Sequence, residues 1–222
     1  MNWLEIAPLA FSAVALSISA VTAWLTLFRR GNLKMTRPNV IFFGFDSTPG
    51  KPDPKIFMRC LLYSTAAKGQ LVENLFVRLS RVESVQNFSI WVYGEKNDLT
   101  RGSGLYVGRD GVAKNHHFLI PPDNPGFSFR NGDYQLQVFA NLVGKGKPLL
   151  LFETRLSMTD DQAQHLENGD HGLYFDWGPE SRRYFTKLDK KPDRPNSAEA
   201  ASLIDKLLPP PESIAAKPRV NS

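Results

Sequence analysis

Apolar residues run without a charged interruption from Ile6 to Phe28, "IAPLAFSAVALSISAVTAWLTLF". At 1.5 Å per residue about 20 helical residues cross a hydrocarbon layer of roughly 30 Å, so the run predicts one transmembrane helix over 6–28. Pro8 suits its first turn, where a missing N–H costs little. Its only hydroxyls are Ser12, Ser17, Ser19, Thr22 and Thr26, too few for the polar stripe of a soluble amphipathic helix. A cleaved signal peptide is the rival reading, because Val21-Thr22-Ala23 resembles a small-residue cleavage site. Such peptides want a positive N-terminal flank and a shorter apolar core, whereas Glu5 and no cation precede this run. The pattern favours a retained anchor.

From Pro38 onward the pattern changes to alternation. "VIFFGF" (Val40 to Phe45), "KIFMRCLLYS" (Lys55 to Ser64), "NLFVRLSR" (Asn74 to Arg81) and "FSIWVYG" (Phe88 to Gly94) are short, aromatic and aliphatic, and bounded by turn formers. In the third, Leu75, Val77 and Leu79 share one face and Arg78 and Ser80 the other, which is the signature of a strand with one side buried. "GRDG" (Gly108 to Gly111) is expected to close a hairpin between "GLYV" and "VAKNHHFLI". "VGKGKP" (Val143 to Pro148) is expected to do the same between "DYQLQVFANL" and "LLLFETRLS". The fold class is therefore all-β: an antiparallel β-sandwich over 38–187, preceded by one transmembrane α-helix and followed by a flexible tail.

Within that domain "FRNGDYQLQVFA" (Phe129 to Ala140) resembles the start of strand F in immunoglobulin-like and fibronectin-like sandwiches. The resemblance implies that Tyr134 ties the preceding corner to the backbone and that Leu136 and Val138 point inward. The chain lacks the paired cysteines of antibody domains, and a jelly roll is the alternative topology. "TDDQAQHLEN" (Thr159 to Asn168) predicts a short helix with Thr159 as N-cap and Gln162 closing a capping box. "GLYFDWGPESRRYF" (Gly172 to Phe185) reads as a last, aromatic strand. Residues 188–222 are rich in Pro, Lys, Ser and Ala, the composition of a flexible tail. A short amphipathic helix near 197–208 within it gathers Leu203, Ile204, Leu207 and Leu208 on one face as candidate partner-binding residues.

Charge adds an orientation. Arg29, Arg30, Lys34 and Arg37 follow the span in a basic linker, 29–37, and no cation precedes it in the short N-terminus, 1–5. The positive-inside bias places the N-terminus outside and the domain in the cytoplasm. These four cations, with Trp3 and Trp24 near the ends of the helix, are the candidate membrane-interface residues. Removing the four cations and Glu5 from totals of 27 basic and 22 acidic side chains leaves 23 and 21. A near-neutral domain argues against a nucleic-acid partner. The layout resembles that of bacterial single-pass inner-membrane proteins.

Candidate chemistry is thin. His116 and His117 are adjacent in an extended run, so their side chains point to opposite faces and do not converge on one ion. His165 and His171 stand in no ligand spacing of the H-x-x-x-H kind. Cys60 sits in a strand with no motif around it and reads as a small core residue. "GSGLYVG" (Gly102 to Gly108) is a residue too long for a dinucleotide fingerprint and opens a strand, not a helix. No catalytic, metal or cofactor residues are expected. The favoured function is a membrane-tethered binding or assembly module whose partners are the bilayer and another protein. An anchored enzyme with a dispersed site and an exported binding module are the alternatives. Ala15, Ser19 and Ala23, at spacing four, leave a homo-oligomer possible through the span.

Overall fold

The computed structural model describes residues 3–28, 31–45, 53–95, 98–121 and 126–190. Helix α1 (Trp3–Ala23) continues into a π-helical turn, Trp24–Phe28. The stretch Ala7–Thr26 has a mean hydropathy of 1.7 and none of it is buried, so the described residues include one helix long and apolar enough to cross a membrane. Every hydroxyl within it is satisfied internally. Ser12 donates to the Pro8 carbonyl at 2.8 Å, Ser17 to Ala13, Ser19 to Ala15, Thr22 to Ile18 and Thr26 to Thr22. Such back-bonding leaves no polar hydrogen exposed toward an apolar solvent.

The rest of the described residues form β-structure with one short helix. The strands are β1 (Leu33–Met35), β2 (Val40–Phe45), β3 (Pro54–Ser64), β4 (Gln70–Arg81), β5 (Ser84–Phe88), β6 (Ile90–Glu95) and β7 (Asp98–Arg101). They continue as β8 (Leu105–Val107), β9 (Val112–Leu119), β10 (Gly132–Leu142), β11 (Leu149–Met158), β12 (His171–Gly178) and β13 (Arg183–Lys190), with α2 (Asp160–Glu167) before β12. A larger sheet runs β13-β12-β2-β3-β9-β6-β7, and β1 pairs with β3 beyond the end of β2. A smaller sheet runs β11-β10-β4-β5, with β8 on the free end of β4. Every strand pairing is antiparallel.

The alternation read from the sequence becomes the core between the sheets. From the smaller sheet Val77, Leu79, Tyr134, Leu136 and Val138 are buried, and from the larger Ile41, Phe43, Ile56, Met58 and Phe175. Phe43 is the centre of an aromatic cluster, 5.0 Å from the rings of both Phe129 and Phe175. On the outer face Phe76 stacks on Phe139 at 5.1 Å, which accounts for an aromatic among polar neighbours. Tyr134 turns its hydroxyl back on the corner as expected, accepting from the Arg130 N–H at 2.8 Å and donating to the Arg130 carbonyl at 2.5 Å.

Four local expectations are corrected. Phe88 to Gly94 is not one strand: β5 ends at Phe88 on the smaller sheet, and after Ser89 the chain enters the larger as β6. Phe88 and Trp91 both need burial, and odd spacing across a break lets both reach the interior. Gly108–Gly111 does turn, with the Gly111 N–H on the Gly108 carbonyl at 3.3 Å, but it joins β8 and β9 in different sheets and closes no hairpin. The aromatic stretch after α2 is a hairpin, β12–β13, reversed over residues 179–182, and it extends to Lys190. The linker expected at 29–37 carries β1, whose Leu33 is buried. Gly31 permits this docking, since a Cβ there would lie 2.5 Å from the Ala66 nitrogen.

Candidate functional site

Strands β11 and β13 are the edges of the two sheets on the same side of the sandwich. The gap between them is bridged at one end by α2, which Thr159 starts as foreseen: its side chain accepts from the Gln162 N–H at 3.3 Å, and Gln162 returns the bond to the Thr159 N–H at 3.1 Å. The Gln162 amide also donates to Thr186 Oγ1 on β13 at 3.0 Å. What remains open is a cleft of 580 Å³.

Its lining is chemically one-sided. Arg37, Arg155, Arg182 and Arg183 lie along its walls, Arg155 and Arg183 at edge-strand positions that alternate with the inward Leu156 and Tyr184, and no carboxylate lines it among the described residues. None of the four takes part in a salt bridge among those residues. The other walls are hydroxyl or amide donors, Thr154, Ser157, Thr159, Gln162 and Thr186, and the rings of Trp177, Tyr184 and Phe185. Arg37 lies flat over Trp177, 3.8 Å from its centroid, and Arg183 over Phe185 at 4.7 Å. Ring faces attract cations and hold them without neutralising them. Arg182 occupies the left-handed region, φ 53°, at the end of the β12–β13 turn. Tyr184 donates to the Pro38 carbonyl at 2.7 Å, and burial pushes its phenol well above the ordinary range, against the nearby Arg37 charge. It stays a neutral donor that pins the segment bearing Arg37.

Of the candidate interface residues, Trp24 is exposed at the start of the π-helical turn and Lys34 is exposed on β1. Arg37 is drawn into the cleft. The Trp3 side chain, Arg29 and Arg30 lie outside the described residues, as do Leu203, Ile204, Leu207 and Leu208. His116 is buried, its Nδ1 accepting from Trp91 Nε1 at 3.1 Å, and His117 is half-buried on the opposite face of β9, 4.9 Å from the Phe57 ring. Burial holds the Cys60 thiol at a pKa of about 12, which makes it a packed side chain and a poor nucleophile. The cleft was missed because its arginines are scattered through the sequence, and a summed charge hides where the charges meet. The doublet Arg182-Arg183 between aromatics was the one local signal.

No protein-family model and no curated sequence matches this chain. Among solved structures it is similar to the CooA pilin subunit from enterotoxigenic Escherichia coli. The identity is 11%, over 57% of this chain and 98% of that one, at a TM-score of 0.30.

Proposed function

We propose that this chain is a membrane-tethered, non-catalytic binding module whose cleft receives a phosphate-bearing ligand. The observation that carries the proposal is the gathering of four arginines, none of them in a salt bridge among the described residues, around a cleft with no carboxylate in its lining among those residues. Left empty, four like charges repel; an anion between them turns that repulsion into attraction. The planar guanidinium matches phosphate oxygens two at a time, and the adjacent hydroxyl and amide donors satisfy further oxygens. Trp177 offers an aromatic surface to whatever apolar or planar part the ligand has. Among the described residues the lining brings donors and no imidazole, thiol or carboxylate, so binding fits it better than bond-making. The tether is read from the apolar helix and the basic residues that follow it, with the domain on the cytoplasmic side.

Two sources carry such a phosphate, an anionic lipid headgroup and a soluble phosphate ester, and titration calorimetry on the full chain in neutral detergent separates them. Short-chain phosphatidylglycerol and inorganic pyrophosphate are the two probes. Saturable binding of either is expected, weakened at least about tenfold by Arg155→Ala or Arg183→Ala, or roughly 1.4 kcal/mol. Arg78→Ala is the control, because Arg78 lies over Phe139 on the outer face of the smaller sheet. Absence of saturable binding for both probes, or an equal loss in the control, overturns the proposal.

A further inference from the structure

At the end of α2 away from Thr159, the turn into β12 assembles a second constellation. The helix ends at Asn168, and Gly169 at φ 78° reverses the chain so that Asp170 and His171 return along the last turn of the helix, where His165 stands. Donor atoms of His165, Asp170 and His171 all lie within 4.8 Å of one another. The two imidazole centroids are 4.6 Å apart, and Nδ1 of His171 meets Oδ1 of Asp170 at 2.7 Å. Asp161, one helical turn before His165, brings a second carboxylate to 3.7 Å from His165 Nε2.

We propose that His165, Asp170 and His171 form a binding site for a first-row divalent cation of the Zn²⁺ type. This goes beyond the phosphate cleft and does not depend on it. Two imidazoles and a carboxylate are the donor set that borderline cations take, whereas Mg²⁺ and Ca²⁺ want oxygen alone. Metal–donor bonds of about 2.1 Å put tetrahedral donors roughly 3.4 Å apart. The cluster therefore closes by a modest swing of its side chains, and the His165 side chain, at 40% exposure, has room for it. On binding, each imidazole ligates through a ring-nitrogen lone pair and Asp170 through a carboxylate oxygen. Three protein donors leave a coordination position for water, with Asp161 within reach of it.

The test is calorimetric titration of the full chain with Zn²⁺, after chelator treatment and with no histidine in the purification tag. One ion per chain is expected, with affinity lowered at least about tenfold by His165→Ala and by His171→Ala, and unchanged by Asp160→Asn on the same helix. Zn²⁺ should raise the thermal midpoint of the unsubstituted chain and of Asp160→Asn only. Lack of saturable binding, or binding that survives both histidine substitutions, overturns the proposal. Should a histidine variant fail to fold, Co²⁺ on the unsubstituted chain decides: ligand-field bands of a nitrogen-coordinated ion support the site, and the spectrum of the aqueous ion overturns it.

Discussion

His116 shows how much one residue's surroundings decide. Strand periodicity places it opposite His117, and that was legible in the sequence; which of the two faces the core was not, because it depends on Trp91 arriving from another strand. Burial, and then the neighbouring His117, lower its pKa from 6.5 to about 4, and Nε2 has no partner among the described residues. The folded chain thus keeps the ring neutral where the unfolded chain protonates it. Stability is intact above about pH 6.5 and drains away as the pH falls toward 4, by on the order of 3 kcal/mol. Denaturant melts over that window should show the loss, and His116→Phe should flatten it. Arg182 offers a second test. Its left-handed φ costs about 1 kcal/mol, which glycine relieves while adding a comparable entropy to the unfolded chain. Arg182→Gly should therefore leave the thermal midpoint nearly unchanged while weakening phosphate binding, a split that a merely structural turn residue would not give.

Elements were legible where they are periodic and capped within their own span. β2, β3, β4 and α2 follow that rule, and the Thr159–Gln162 capping box was written in adjacent residues. What the pattern does not hold is the sheet to which each strand belongs. Alternation says only that one face is buried, and both sheets bury a face against the same core, so β5 and β6 look like one strand and β8 and β9 like a hairpin. β1 was hidden because three residues carry too little periodicity, and basic neighbours drew them into the linker. Its contribution is measurable. Burying Leu33 is worth about 2 kcal/mol, besides the register Leu33↔Ser64 to Met35↔Leu62. A soluble domain beginning at Gly31 should melt well above one beginning at Thr36, by differential scanning calorimetry of the two.

At the scale of the whole molecule, the division into an apolar helix and a β-sandwich was legible because each obeys one solvent rule along its length. The cleft was not, since Arg37, Arg155 and the Arg182-Arg183 pair meet only once both sheets have formed. The tether proposal carries its own test: a reporter fused after Ser222 should read as cytoplasmic, and an external signal would reverse the orientation. The entry of the chain into the sandwich also has a mechanical side. After the anchor, the backbone is fastened in series. Asn32 exchanges bonds with Thr65, β1 with β3, and Thr36 with Leu61, and then the carbonyls of Pro38 and Asn39 accept from Tyr184 and from the Trp177 N–H. Tension applied through the anchor must break these fasteners in that order, and Arg37 sits between the Thr36 fastener and the last two. Leu33→Ala should therefore lower the rupture force in optical tweezers when the chain is pulled from its N-terminal end, and leave it unchanged when the handle is moved to Gly146. A pull strong enough to peel the segment takes Arg37 off Trp177 and removes one of the four cations, so the hold on an anion slackens while the two sheets stay closed.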